Sequence, residues 1–205
     1  MMRLRLHNMV LHTRVLGPGI RCAIWFQGCT RRCKGCMSPE TRDFDGGVAF
    51  DVNDICKEIL KLKDIEGITI SGGEPFLQID SLHSLLQKIR TNSNLGVIIY
   101  TGYRIEELQA MRNEKVDDIL SQLSDLIIDG EYIEGQNDGR SLIGSANQKL
   151  YFVTDRYRSS ENEYQNKKRN VEIIAAKNDM LLIGVPDKRT LQKWHELVNG
   201  MNDKT

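Results

Sequence analysis

Residues 20–36, IRCAIWFQGCTRRCKGC, combine a short apolar segment with four of the five cysteines of the chain, three of them clustered at its end. Residues 20–26 are rich in β-branched and aromatic side chains and run into a glycine, which predicts a β-strand. Cys29, Cys33 and Cys36 follow with the spacing C-x3-C-x2-C. We therefore expect a cysteine-bearing loop at the carboxyl end of this strand.

Strand-like and helix-like segments alternate on both sides of that loop. Helices are predicted after the cap at Asp51, over 82–89 and over 104–123, and strands over 67–70, 97–100, 126–128 and 150–153. Short, uniformly apolar strands separated by helices predict a parallel sheet with helices over its outer face. The distinctive clusters all follow strands, so they are expected to meet at one edge of an α/β fold.

The last quarter of the chain has a different pattern. Residues 157–170 are polar and hold no aliphatic side chain, which predicts a mobile loop. Residues 171–174 and 180–183 flank Lys177-Asn178-Asp179, which predicts a β-hairpin, and a helix is expected over 189–198. We expect one domain over 1–205, with a core over about 10–155 and a C-terminal extension over about 156–205.

Composition excludes several classes of protein. The chain has 205 residues, and its 28 Lys and Arg balance its 28 Asp and Glu, so the bulk positive charge of duplex binders is absent. No apolar run approaches the roughly 18 residues that span a bilayer, and the N-terminal residues lack the apolar segment of a signal peptide. We expect a cytoplasmic protein that binds neither membrane nor nucleic acid.

The clustered cysteines indicate a metal centre rather than a disulfide framework, because their number is odd and no signal peptide precedes them. A structural zinc site needs four ligands, but the four histidines have no paired spacing, and Cys22 and Cys56 are expected in the core. A [4Fe–4S] cluster held by three cysteines leaves one iron open for another ligand. A zinc knuckle remains the alternative at this point.

A second motif, Ser71-Gly72-Gly73-Glu74-Pro75, follows the strand at 67–70. With the cysteine spacing, it resembles the radical S-adenosylmethionine (SAM) enzymes. The resemblance implies that Cys29, Cys33 and Cys36 bind a [4Fe–4S] cluster whose open iron chelates SAM. It also implies that Gly72 and Gly73 admit the backbone close to SAM, and that Glu74 accepts a hydrogen bond from its amine.

More of the chain resembles a narrower family, the glycyl-radical-enzyme activases of anaerobic ribonucleotide reductase. The segments that carry this likeness, in the family's order, are RVLGPG (14–19), WFQGC (25–29), GC (35–36), SPET (38–41), SGGEPF (71–76), TGY (101–103), DLIIDG (125–130) and GSANQ (144–148). The likeness implies a partial (β/α)6 barrel. It also implies reductive cleavage of SAM to a 5′-deoxyadenosyl radical, which takes a hydrogen atom from a glycine of a partner enzyme.

Further residues are implied in the SAM site, each with a structural alternative. Thr101 and Asp129 end neighbouring strands, where a structural threonine or a capping aspartate is equally expected, and Ser145 and Asn147 match the GSANQ segment. No catalytic side chain is expected beyond the cluster and SAM site. Met37 stands where the family usually has an aromatic residue, and a polarizable methionine can fill such a space.

The implied partners are a large glycyl-radical enzyme and a flavodoxin or ferredoxin-type electron donor. Arg31, Arg32 and Lys34 flank the cysteines and either attract such an acidic donor or are solvated loop charges. A chain of this size is too small for a full barrel with a lid, which favours a protein substrate that closes the site itself. The alternatives are a radical SAM enzyme acting on a small metabolite or peptide, and a non-enzymatic metal or redox-sensor module.

Overall fold

The computed structural model describes residues 2–140, 142–166, 169–176 and 179–202. The strands are β1 Arg3–Thr13, β2 Arg21–Phe26, β3 Val48–Asp51, β4 Gly67–Gly72, β5 Gly96–Tyr100, β6 Leu126–Asp129, β7 Lys149–Phe152, β8 Val171–Ala176 and β9 Asp179–Gly184. The α-helices are α1 Val52–Lys61, α2 Ile79–Asn92, α3 Ile105–Ala110, α4 Glu114–Asp118, α5 Glu161–Asn166 and α6 Lys188–Asn202. Within these ranges no helix is both long enough and apolar enough to cross a membrane.

Seven strands form one mixed sheet in the order β3-β1-β2-β4-β5-β6-β7. The neighbours β2, β4, β5 and β6 are parallel, whereas β1, β3 and β7 join antiparallel. The predicted α/β class and the parallel run are therefore confirmed, and a (β/α)6 barrel is not. The strand predicted over 150–153 is present as β7, but it runs against β6 because only a loop, without a crossover helix, connects the two.

Helices α1 and α2 cover the outer face of the sheet, as predicted. The Asp51 side chain caps α1 by accepting a hydrogen bond from Asn53 N, and both predicted core cysteines, Cys22 and Cys56, are buried in the outer core cluster. The helix predicted over 104–123 is interrupted. Arg112 adopts a positive φ of 50°, and the Asn113 side chain then caps a new helix, α4.

The inner face of the sheet is covered by the segment that follows β7. The prediction of a mobile loop over 157–170 is wrong, because a 3-10 helix, Asp155–Ser160, and α5 occupy most of this range. Tyr157 and Tyr164, 3% and 5% exposed, pack in a cluster with Ile98 and Ile128. The two tyrosine rings supply the apolar surface through which this segment packs, although it holds no aliphatic side chain. Lys167 and Lys168 lie outside the described residues.

The hairpin and the last helix are present as β8, β9 and α6, although the hairpin's Lys177 and Asn178 lie outside the described residues. Glu172 fastens the hairpin to the end of β1 by accepting hydrogen bonds from the Thr13 hydroxyl (2.6 Å) and Arg14 N (3.0 Å). Ile183 and Val185 are buried against the inner face. This C-terminal segment therefore reaches the carboxyl edge of the parallel strands.

Candidate active site

The Gly-Gly-Glu motif lies directly beside the start of the cysteine loop. Gly73 N donates to Phe26 O (2.8 Å), and Glu74 N donates to Gly28 O (2.9 Å). A Cβ at Gly73 would lie 2.2 Å from Gly28 O, and Gly72 adopts a φ of +107°. Only glycine fits this approach, since the atom it would meet belongs to rigid backbone. The two sequence motifs thus form one unit of structure.

The cysteine loop is held by backbone and side-chain donors from other segments. Cys29 N donates to Arg42 O (3.1 Å), and Arg42 Nη2 donates to Cys33 O. The backbone N–H of Tyr132, from the loop after β6, donates to the Cys33 sulfur. The loop is therefore fixed from both sides, and Cys33 receives a contact on its thiol and another on its carbonyl.

All three loop cysteines are free, partly buried, and line one cavity. The cavity measures about 920 Å³ with its open mouth and is also lined by Gly72, Gly73, Glu74, Thr101, Gly102, Trp25, Met37, Tyr132, Gln148, Gly184 and Val185 among others. Burial raises the pKa of the Cys29 and Cys33 thiols above the ordinary value. In the described part of the chain no three or more His, Cys, Asp or Glu side chains are grouped to hold a single metal ion.

This donor set fits an iron-sulfur cluster. Cysteine thiolates are the usual ligands of such clusters, four for an ordinary [4Fe–4S] cluster, so three on one loop leave one iron open to another ligand. Because thiolates are the binding species, raised thiol pKa values mean that the site releases protons as it takes up a cluster.

Glu74 is the most perturbed acid that lines the cavity. Its side chain is 1% exposed, and Oε1 accepts hydrogen bonds from Phe76 N (3.0 Å) and the Thr101 hydroxyl (2.9 Å) while Oε2 accepts from Gly102 N (2.7 Å). Burial raises the pKa of Glu74 from its ordinary 4.5 to about 7, against the opposing effect of these donors. The carboxylate is therefore held rigidly and titrates near neutral pH.

Arg31 is paired with an acid of the same protein rather than free to attract a partner. Its Nη2 donates to both carboxylate oxygens of Glu107 at 2.9 Å, and its guanidinium lies 4.4 Å from the centre of the Tyr103 ring. Glu107 in turn accepts from Arg104 N at the start of α3. Arg31 therefore pins the cysteine loop to α3, whereas Arg32 and Lys34 are exposed.

The other residues implied by the family resemblance are already engaged within the protein. The carboxylate of Asp129 accepts from Ile105 N (2.9 Å) and Lys149 N (3.2 Å), so it caps α3 and joins β7. The Ser145 hydroxyl accepts from Ile133 N, and Asn147 Nδ2 donates to Glu131 O. None of these three lines the cavity, so their contact with SAM remains a prediction.

Several cavity residues were not singled out from the sequence. Arg42 and Tyr132 lie outside any strand end, and Gly184 and Val185 come from the C-terminal segment whose role was unassigned. Trp25, in β2, is only partly buried and lines the cavity. It packs with Met37 against the cluster that contains Val185. Of these residues, only Trp25 could have been placed from the sequence. Side chains alternate between the two faces of a strand, and one face of β2 lies on the cavity.

Comparison with known proteins agrees with this geometry. A family model described as a 4Fe-4S single cluster domain matches residues 15–151. The anaerobic ribonucleoside-triphosphate reductase-activating protein of Haemophilus influenzae is 34% identical over 146 residues, which cover 66% of this chain and 89% of the relative. The proteins of the same name from Escherichia coli K12 (31% over 151 residues, 68% and 92%) and Enterobacteria phage T4 (29% over 147 residues, 69% and 89%) are also similar.

Proposed function

Since the chain belongs to the family of the anaerobic ribonucleoside-triphosphate reductase-activating proteins and carries its 4Fe-4S domain, we propose that it installs a glycyl radical on such a reductase with SAM as cosubstrate. The observation that carries the proposal is the single cavity lined by Cys29, Cys33, Cys36 and the Gly-Gly-Glu motif. The parallel run of β2, β4, β5 and β6 supports relating the sheet to a partial (β/α)6 barrel.

In this proposal the three loop cysteines hold the cluster. The chemistry that the bound cluster supplies is the transfer of one electron to SAM, which splits its sulfonium C–S bond into methionine and a 5′-deoxyadenosyl radical that takes a hydrogen atom from a glycine Cα. The protein contributes the loop geometry, because Arg42 and Tyr132 fix Cys33 before any cofactor is bound.

The remaining side chains bind and orient SAM. Glu74 is placed to accept a hydrogen bond from the methionine amine, because its carboxylate is buried in the cavity wall and fixed by three donors. Thr101 orients Glu74 rather than SAM, since its hydroxyl is already donated to that carboxylate. The bare backbone of Gly72 and Gly73 leaves room for the cofactor.

Water must be kept from a carbon radical. Trp25, Met37 and Val185 form an apolar side of the cavity, and the reductase is proposed to cover the open mouth when it docks. The one-electron reductant is proposed to be a flavodoxin or ferredoxin-type protein.

One observation favours a second candidate function. Gly184 and Val185, from the segment that covers the inner face of the sheet, line the cavity. A site narrowed in this way also suits a radical SAM enzyme acting on a small metabolite or peptide. Substrate-dependent 5′-deoxyadenosine formation without any reductase would favour this candidate.

The test is SAM cleavage by the anaerobically reconstituted protein. After loading with iron and sulfide, the protein is reduced with dithionite in the presence of SAM, and 5′-deoxyadenosine is measured against Cys33→Ala and Cys56→Ala. We expect product from the wild type and from Cys56→Ala, whose substituted residue lies in the core, and none from Cys33→Ala. Glu74→Ala is expected to keep its iron and bind SAM more weakly. A fully loaded protein that forms no product with or without the reductase contradicts the proposal.

A further inference from the structure

Arg42 forms hydrogen bonds to Cys29 and to Cys33, the first two cysteines of the loop. Its carbonyl oxygen accepts the hydrogen bond from Cys29 N (3.1 Å), and its guanidinium donates through Nη2 to Cys33 O. The same side chain lines the cavity that contains the three thiols. A cation is thus fixed beside the proposed cluster ligands by a residue outside the cysteine motif.

The charge of Arg42 is not neutralised by an acid. Among the described residues no carboxylate oxygen lies within 4.0 Å of its guanidinium, whereas Arg31, on the same loop, is paired with Glu107. In addition, Arg42 Nε is buried and has no hydrogen-bond partner. Burying a hydrogen-bond donor without a partner is unfavourable, so such a group in a native protein calls for an explanation, and a redox role is one.

We propose that Arg42 is a positioning residue that raises the reduction potential of the cluster, an inference that rests on the proposed function. A cluster with three thiolate ligands gains one negative charge when it accepts one electron from the reductant. A fixed, partly buried cation stabilises the reduced form more than the oxidised form, because the Coulomb interaction with the added charge is poorly screened there. Net charge and hydrogen bonding near the sulfurs are among the factors that set such potentials.

Two substitutions distinguish the effect of the Arg42 charge from the effect of its hydrogen bonds. Arg42→Gln keeps a hydrogen-bond donor but removes the charge, whereas Arg42→Lys keeps the charge and loses the planar fork. Arg32→Gln is the matched control, because it removes a charge from the same loop at an exposed position, where solvent screens the interaction.

The experiment is a potentiometric titration of each reconstituted protein, followed by the electron paramagnetic resonance (EPR) signal of the reduced cluster, with iron and sulfide content measured in parallel. We expect Arg42→Gln to lower the equilibrium constant for reduction of the cluster at least tenfold. For one electron this makes the midpoint potential more negative by about 59 mV. Arg42→Lys and Arg32→Gln are expected to keep the wild-type midpoint.

An Arg42→Gln protein with full iron content and an unchanged midpoint overturns the inference. If Arg42→Gln does not assemble a cluster, Arg42→Lys decides, since a negative shift there shows that charge is not the cause and also overturns it. Absence of a cluster from the wild-type protein is a different result, because it contradicts the proposed function itself.

Discussion

The Thr101 hydroxyl donates a 2.9 Å hydrogen bond to Oε1 of Glu74, and this bond joins the carboxyl end of β5 to that of β4. The second carboxylate oxygen accepts from Gly102 N at 2.7 Å, so both contacts come from one turn. Such a carboxylate cannot rotate freely. The position of Glu74 in the cavity is therefore set by two neighbouring parallel strands rather than by its own rotamer preference.

The raised pKa of Glu74 predicts a pH dependence of stability. Because its pKa is raised from 4.5 to about 7, the folded protein binds more protons than the unfolded chain between these values. The resulting stability is present below about pH 4.5 and is lost as the pH rises through about 7, by about 3 kcal/mol. Glu74→Gln removes this titration, so its free energy of unfolding should fall less over the same interval. Urea unfolding of the protein before cluster loading, at about pH 5 to about pH 8, checks this; parallel profiles for the two proteins would contradict it.

Gly73 is predicted to be intolerant of any side chain. A Cβ there would lie 2.2 Å from Gly28 O and 2.9 Å from Thr41 O, whereas a Cβ at Gly135 would meet nothing within 4 Å. Gly73→Ala should lower the free energy of unfolding by about 2–3 kcal/mol and reduce iron uptake, because it pushes the strand end away from the cysteine loop. Gly135→Ala, the control, should change the free energy by less than about 0.5 kcal/mol. Equal effects in denaturant unfolding would show that the close approach does not matter.

The five cysteines are predicted to divide into two groups. Replacing Cys29, Cys33 or Cys36 by serine should lower the iron content of the reconstituted protein from about four atoms per chain to a small fraction of it. Cys22 and Cys56 are buried in the outer core, so Cys56→Ala should lower stability slightly and leave the iron content unchanged. Iron analysis together with the visible absorption of the cluster distinguishes the groups. A Cys36→Ser protein with full iron would remove Cys36 from the ligand set.

Arg169 is predicted to hold the C-terminal segment at the cavity edge. Its guanidinium donates to Asn137 Oδ1 (2.7 Å), Pro186 O (3.1 Å) and Gly144 O (3.0 Å), and charge-assisted bonds of this kind contribute about 1.5–3 kcal/mol each. Arg169→Gln should therefore speed amide hydrogen exchange in residues 142–144 and 183–185 at least tenfold, while the strands β4 and β5 stay protected.

Arg158→Gln serves as the control for Arg169, because Arg158 forms an exposed ion pair with Asp155, a kind of contact that contributes little. If exchange at the cavity edge is the same in both variants, the segment is held by the packing of Ile183 and Val185 alone.

Sequence patterns predicted the features that depend on local chemistry. The strand before Cys29, the cap at Asp51 and the hairpin were all recognisable, because apolar periodicity and capping residues act over a few positions. Strands β1 and β3 were not predicted, although the alternating burial at the start of β1 is that of a half-buried strand. The pairing of β1 with β3 spans a long sequence separation, which local patterns do not reveal. Their antiparallel pairing is what distinguishes this sheet from a simple β/α repeat.

The candidate site was predicted in part for the same reason. The cysteine cluster and the Gly-Gly-Glu motif each occupy a short stretch of sequence, so each could be recognised from its residue spacing. Arg42, Tyr132 and Val185 reach the cavity only through tertiary contacts. The burial of Tyr157 shows the same limit, because its ring packs on β-strand residues that are distant in sequence.

The most direct test of the account is the EPR spectrum of a ribonucleoside-triphosphate reductase of the glycyl-radical class, from the same organism, after incubation with the reconstituted protein, SAM and a one-electron reductant. We predict a glycyl radical on the reductase that requires SAM and is absent with Cys33→Ala. A protein with a complete cluster that leaves the reductase without a radical, under conditions where it cleaves SAM, would contradict the proposed activating function.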